Sequence, residues 1–268
     1  MSRLIRYIVK TSAFITFSVL CLIIGYILIK GIPYLKPSLF ELKYSTENVS
    51  LLPSLITTFM MTVLSLLISV PIGIFTGIYL VEYAKSGNRL VEIVRVTTET
   101  LSGIPSIVYG LFGLLFFVTM LGWGFSILAG AFTLAIMILP LIIRSTEEAL
   151  LAVSDLLREA SFGLGAGKFR TIMKIVIPSA MPGILAGVIL ATGRIVGETA
   201  ALIYTAGTVA KVPENLFASG RTLAIHMYAL SSEGLYVNQS YATAVVLLVL
   251  VIGVNALSSF IAKRLLKG

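Results

Sequence analysis

Two ionisable residues lie inside an otherwise apolar stretch of this sequence. Arg194 and Glu198 fall within residues 181–206, where most neighbours are aliphatic. An ionisable side chain inside a membrane-spanning segment is costly to bury, so it indicates a functional site. Their spacing of four residues predicts that the two side chains lie one turn apart on one helix face and form an ion pair.

The residue types in this segment favour binding of an oxyanion. A guanidinium group presents a planar fork of donors that matches phosphate oxygens, and it stays charged at neutral pH. We expect Glu198 to hold Arg194 until an anion competes for it, and Thr199 and Thr205 to add hydroxyl donors. A structural ion pair that only fixes helix packing explains the same spacing equally well.

A second segment has the features of a short docking helix. It begins at Ser154, a residue type that caps helix N-termini. Apolar residues then recur at helical spacing: Leu157, Ala160 and Leu164. Three glycines around Gly165 end the helix and allow a sharp turn, and a second helix from about Lys168 reaches Pro178. Such an amphipathic helix suits docking into a groove of another protein, although a connector lying on the membrane surface has the same pattern.

The glycines of this segment do not form a nucleotide site. A phosphate-binding loop requires glycine where Phe162 stands and Ser or Thr after the lysine, where Phe169 stands. With one Cys and one His in the chain, we expect no metal, no cofactor and no enzymatic activity. The single histidine, His226, follows the apolar stretch in a polar loop, where a surface position is expected.

Membrane-spanning helices must position these residues. The chain is 57% hydrophobic and 12% charged, whereas soluble domains are about a quarter charged. Crossing the hydrocarbon core takes about 20 apolar residues in a helix. Six runs have this character: 11–32, 54–83, 104–121, 125–144, 181–206 and 241–262. The predicted fold is therefore an all-α integral membrane protein with six transmembrane helices.

Charge predicts the orientation of this bundle. Fourteen of the twenty Lys and Arg residues lie in the termini and loops on one side, five lie on the other, and Arg194 lies within a span. Basic loops face the cytoplasm, so both termini are predicted to be cytoplasmic. The basic residues are scattered over several loops and do not form a stripe, which argues against nucleic-acid binding and for contact with lipid headgroups.

The docking segment resembles the EAA motif of ABC importer permeases. That motif reads Glu-Ala-Ala, three residues, Gly, nine residues, Ile, one residue and Leu-Pro. The matching positions are Glu159, Ala160, Gly165, Ile175 and Pro178, with Ser161 and Ile177 as conservative departures. The resemblance implies a type I (MetI-like) permease bundle whose cytoplasmic coupling helix docks on an ABC ATPase subunit.

The segment from Arg194 to Ala206 resembles the Arg-x-x-Gly-Glu-Thr-Ala-Pro-Leu-x-x-Thr-Ala signature of PstA-type phosphate importer permeases. Ala201 replaces the usual proline, so a weaker backbone break is expected there. The resemblance implies import of inorganic phosphate across the cytoplasmic membrane of a prokaryote. It also implies a second homologous permease subunit, two ATPase copies and an external phosphate-binding protein.

This resemblance suggests three parts in the chain and leaves two other functions open. Residues 1–53 form an N-terminal helix with an external loop, 54–262 form the transporter transmembrane domain, and 263–268 form a cytoplasmic tail. A permease for sulfate or molybdate would share the docking segment. An ion-coupled carrier would usually contain more buried acidic residues than this single Arg–Glu pair.

Overall fold

The computed structural model describes residues 3–85 and 87–265 as a bundle of helices. The eleven α-helices of this part of the chain are α1 Arg3–Gly31, α2 Leu52–Ile78, α3 Arg89–Ser102, α4 Ser106–Gly113, α5 Ile127–Leu151, α6 Asp155–Gly163, α7 Lys168–Thr171, α8 Ile177–Val196, α9 Ala200–Ile203, α10 Leu223–Ser232 and α11 Val237–Leu265. Three π-helical segments, Tyr79–Tyr83, Leu114–Met120 and Ile172–Val176, extend α2 and α4 and join α7 to α8.

The number of predicted spans agrees with the helices. Five helices of the described chain are long and apolar enough to cross a membrane. A sixth crossing arises if the pair Arg89–Ser102 and Ser106–Met120, bent by 104°, counts as one broken span. The second span continues through Pro71, and the fourth continues to Leu151, beyond its predicted end at 144.

Small residues let the central helices approach closely. In α2, a Cβ added to Gly73 would come within 2.6 Å of Ile142 in α5, and one added to Gly77 within 2.7 Å of Thr146. In α8, Gly183 meets Ala149 of α5 in the same way. These crossings place α5 between α2 and α8, so α5 is the most buried of the long helices.

The first and last helices run antiparallel. The rings of Tyr26, near the end of α1, and Tyr241, near the start of α11, are 5.8 Å apart. The beginning of α1 and the end of α11 therefore lie at the same end of the bundle. The helix α2 starts at the opposite end of the bundle, so its π-helical extension, which ends at Tyr83 next to α6, lies at the same end as the beginning of α1. We call the end that contains the beginning of α1, the end of α11 and α6 the basic end.

The opposite end is covered by polar loops and α10. The amide of Leu223, at the start of α10, donates to Thr58 Oγ1 in α2, at 2.8 Å. His226 is fully buried, so the predicted surface position for this residue is wrong. Its ring lies edge-on to that of Tyr44, 6.1 Å away, in a loop that precedes α2 by only a few residues.

Candidate functional site

The fifth predicted span, 181–206, is interrupted after Val196, a few residues before the weakened break expected at Ala201. The helix α8 ends at Val196, not at 206, and the short helix α9 begins at Ala200. Between them, Gly197 and Glu198 are held by turn hydrogen bonds to Gly193 and Ile195. The break places the side chains before and after it on different surfaces.

The predicted ion pair between Arg194 and Glu198 does not form. Glu198 is buried, and its Oε1 accepts a hydrogen bond of 3.0 Å from the amide of Ala201, in the first turn of α9. A carboxylate is stabilised at a helix N-terminus by unpaired amides and the helix dipole. Proline at position 201 has no N–H and could not make this bond, so the alanine departure supplies a partner for Glu198.

Arg194 faces a cleft of about 830 Å³ between α5, α8 and α11. The side chain is half-buried, and its guanidinium forms no hydrogen bond or salt bridge with the described residues. Leu141, near the middle of α5, lines the same cleft, so the cation lies within the spanning part of the bundle. A cation that has no partner among the described residues in this position is available to bind an anion.

Asn255 is a residue that the sequence analysis missed. It belongs to α11 and lines the cleft with Arg194 and Ser259. Its Oδ1 lies 3.9 Å from the position that a Cβ on Gly193 would take. The sequence offered one indication of its role, since a side-chain amide lies within the apolar span 241–262, and burying a polar group in a membrane-spanning segment costs free energy.

The two predicted threonines do not join Arg194. Thr199 lines a separate cleft of about 680 Å³ together with Tyr204, Tyr228 and Tyr241. Thr205 is fully buried, and its hydroxyl donates to the carbonyl of Ala201 at 2.9 Å. In this conformation, Thr205 is part of the helix packing.

The docking segment forms the helix–turn–helix that the sequence predicted. The helix α6 covers Asp155–Gly163, Gly165 makes the turn with φ of +82°, and the helical stretch from Lys168 continues into α8 beyond Pro178. Ile175 lies in the π-helical segment of this stretch. Glu159 and Ala160 are exposed.

The two helical arms of this segment are joined through Ser161, one of the two positions that depart from the EAA motif. Ser161 is buried, and its hydroxyl lies 2.8 Å from that of Thr171, within hydrogen-bonding distance. Alanine, the motif residue, could not make this contact. Large apolar side chains are exposed on and near α6: Leu156, Leu157, Phe162, Leu164 and Phe169. This apolar surface at the basic end has the character of a protein-binding face.

A second contact, also missed in the sequence, holds α6 against the bundle. The guanidinium of Arg158 in α6 pairs with Glu82 at the end of the second span, with a shortest N–O distance of 2.7 Å. The two side chains are only 14% and 8% exposed. The docking helix is therefore anchored to the membrane-spanning bundle by a shielded ion pair.

The described residues form a bundle of spanning helices, with a cation at a cleft between α5, α8 and α11 and an anchored apolar helix at one end, and this arrangement fits a membrane permease subunit. The match to a protein family is more specific. Residues 69–267 match the family described as "Binding-protein-dependent transport system inner membrane component". The chain belongs to this family of ABC transporter permeases.

Relatives of known name are similar over most of the chain. The "Probable ABC transporter permease protein YqgI" of Bacillus subtilis is 37% identical over 226 residues, which cover 79% of this chain and 76% of the relative. The "Phosphate transport system permease protein PstA" of Haemophilus influenzae is 40% identical over 193 residues, which cover 70% and 66% of the two chains.

Solved structures support the fold. A chain of the MetNI methionine ABC transporter, described as inward facing, aligns with a TM-score of 0.62 at 21% identity, covering 80% of this chain and 93% of that one. A bacterial alginate ABC transporter aligns with a TM-score of 0.59 at 16% identity, covering 98% and 99%. The predicted type I permease fold is confirmed.

Proposed function

We propose that this chain is the permease subunit of an ATP-driven importer that carries inorganic phosphate across the cytoplasmic membrane. The guanidinium of Arg194, which has no hydrogen-bond or salt-bridge partner among the described residues and lies at the cleft between α5, α8 and α11, carries this proposal. Its planar donors suit an oxyanion with several oxygens. Phosphate is favoured over sulfate and molybdate by relatives named as phosphate permeases, including those of Haemophilus influenzae and Pasteurella multocida.

The cleft suggests how the anion is bound and released. Arg194 supplies the charge, and Asn255 supplies an amide that can donate to a second oxygen. Because Glu198 is occupied by the amide of Ala201, the anion does not have to displace a carboxylate from Arg194. Thr199 lies at another cleft and would contact phosphate at a different stage of its passage.

The apolar face of α6 is the proposed contact with the ATPase. Glu159 and Ala160 are exposed for docking, whereas Ser161 and Gly165 shape the turn, and Ile175 and Pro178 lead into α8. An exposed amphipathic helix binds well in a groove of another protein. We infer two ATPase copies, one on this chain and one on a second homologous permease subunit, with hydrolysis confined to the ATPase.

The basic end is proposed to be cytoplasmic, with both termini on that side. The excess of Lys and Arg in its loops supports this orientation. The opposite end, with α10 and its covering loops, would then receive phosphate from an external phosphate-binding protein.

Uptake by the reconstituted complex tests the proposal. The chain is placed in liposomes with its ATPase, sister permease and binding protein, and ATP-dependent uptake of phosphate, sulfate and molybdate is measured. Phosphate uptake is expected to fall about 10- to 100-fold in Arg194→Ala, since hydrogen bonds to a charged group are worth about 1.5–3 kcal/mol. Phosphate uptake by Arg194→Lys, which keeps the charge but loses the planar set of guanidinium donors, should lie between that of the original protein and that of Arg194→Ala.

Arg6→Ala is the matched control, because it removes an exposed arginine of α1 that lines neither of the two clefts. It should leave uptake unchanged. Normal phosphate uptake by a correctly folded Arg194→Ala variant would refute the role of the cleft. Transport of sulfate but not phosphate by the unaltered complex would refute the assigned cargo.

A further inference from the structure

The guanidinium of Arg158 donates hydrogen bonds to three parts of the molecule: the end of the second span, the end of α5 with the turn after it, and α6 itself. Nε and Nη2 donate to the same oxygen of Glu82, at 3.1 and 2.7 Å. Nη2 also donates to the carbonyl of Leu150 at 3.0 Å, and Nη1 to that of Val153 at 2.7 Å. A further bond of 3.1 Å joins Nη1 to Asp155 in α6 itself.

These acceptors explain why the residue is an arginine. Leu150 is in the last turn of α5 and Val153 lies two residues beyond its end, and the carbonyls at a helix C-terminus lack partners within the helix and favour a cation. Glu82 lies in the π-helical extension of α2. A lysine ammonium is a single point of charge and could not reach a carboxylate and two carbonyls with the same geometry.

The rest of α6 is weakly attached to the bundle. Ser161 is its one buried residue, and it contacts Thr171 on the following helix arm. Among the side-chain hydrogen bonds of the described residues, those of Arg158 are the ones that join α6 to the ends of α2 and α5. The contact is largely shielded from water, so salt screens it little.

We propose that Arg158 and Glu82 are positioning residues that make α6 move as one body with the ends of α2 and α5 that lie at the basic end. A displacement of α6 by the ATPase then reaches α5, which packs against α2 and α8. The α8 helix carries Arg194, so the pair links the docking face to the anion cleft through packed helices. This proposal rests on the proposed function, because it requires an ATPase on α6.

The test measures transported anions per ATP hydrolysed in the reconstituted complex. In Arg158→Lys and Glu82→Gln, ATP hydrolysis should continue while this ratio falls at least about fivefold, the low end of common coupling energies. Arg158→Lys keeps the charge and Glu82→Gln keeps the side-chain size, so one variant remains informative if the other does not assemble. Co-purification of the ATPase reports assembly.

The matched controls are Arg144→Lys and Glu148→Gln. These residues also form an arginine–glutamate pair, but both side chains are more than half exposed, so the pair contributes little. The ratio should remain unchanged in both controls. A merely structural role for Arg158 would lower the yield of complex and leave the ratio of the surviving complex at its original value.

An unchanged ratio in assembled Arg158→Lys or Glu82→Gln overturns the proposal. The failure of the proposed function looks different, because the unaltered complex would then transport no phosphate. Running phosphate, sulfate and molybdate in parallel identifies the transported ion, and the ratio is measured with that ion.

Discussion

Acidification should destabilise this protein through His226. Burial lowers the pKa of this imidazole from its ordinary value of 6.5 to about 3, with help from the charge of Arg221 and partial opposition from the backbone of Val49. The folded state therefore binds fewer protons than the unfolded state between these two values. The free energy of unfolding is therefore unaffected by His226 titration above about pH 6.5, and it decreases progressively as the pH falls from 6.5 towards 3.

The size of this effect follows from the two pKa values. At pH 5 the unfolded imidazole is almost fully protonated and the folded one is almost fully neutral. The difference corresponds to about 2 kcal/mol of unfolding free energy relative to pH 7 or above. For a chain of this size, that is roughly 4–8 °C in Tm.

The comparison variant is His226→Phe, which cannot titrate and can keep the edge contact with Tyr44. Other acid-sensitive groups act equally in both proteins, so the difference between them isolates the histidine. Thermal unfolding in detergent can be followed by fluorescence of Trp123, the only tryptophan, which stacks on Phe117. Between pH 7 and pH 5, the original protein should lose roughly 4–8 °C more than the variant.

An equal loss of Tm in both proteins would refute this reasoning. It would mean that His226 is protonated at the same pH in the folded and unfolded states, and hence that it is reached by water. A larger loss in the variant would contradict the sign of the linkage.

Three further substitutions, one of them a control, test the helix packing and the cleft. Gly77→Ala should destabilise the bundle by about 1–3 kcal/mol, because the new methyl group overlaps Thr146. Its control is Gly25→Ala in α1, where a Cβ would have no neighbouring atom within 4 Å, and this variant should be neutral or stabilising in the same thermal assay. Asn255→Asp should lower anion uptake about tenfold or more, since its carboxylate would repel the anion and pair with Arg194. Retained uptake in the aspartate variant would place the anion path elsewhere.

The docking segment was predictable because its signals are local. Glycine at position 165 permits the positive φ of the turn, and the apolar positions of α6 follow from helical spacing. The ion pair of the fifth span was predicted wrongly for a related reason. Spacing of four residues implies proximity only while the helix continues, and here it ends at Val196.

The number and approximate positions of the spans follow from the sequence alone, because the cost of placing polar groups in hydrocarbon acts on each segment by itself. The position of each polar side chain depends on its neighbours in space. Arg158 and Glu82 are separated by 76 residues in the chain, and His226 is buried beside Tyr44 from a distant loop. Only the packing of the helices decides these contacts, and it leaves Arg194 at the cleft without a partner among the described residues, while Glu198 accepts a hydrogen bond from Ala201.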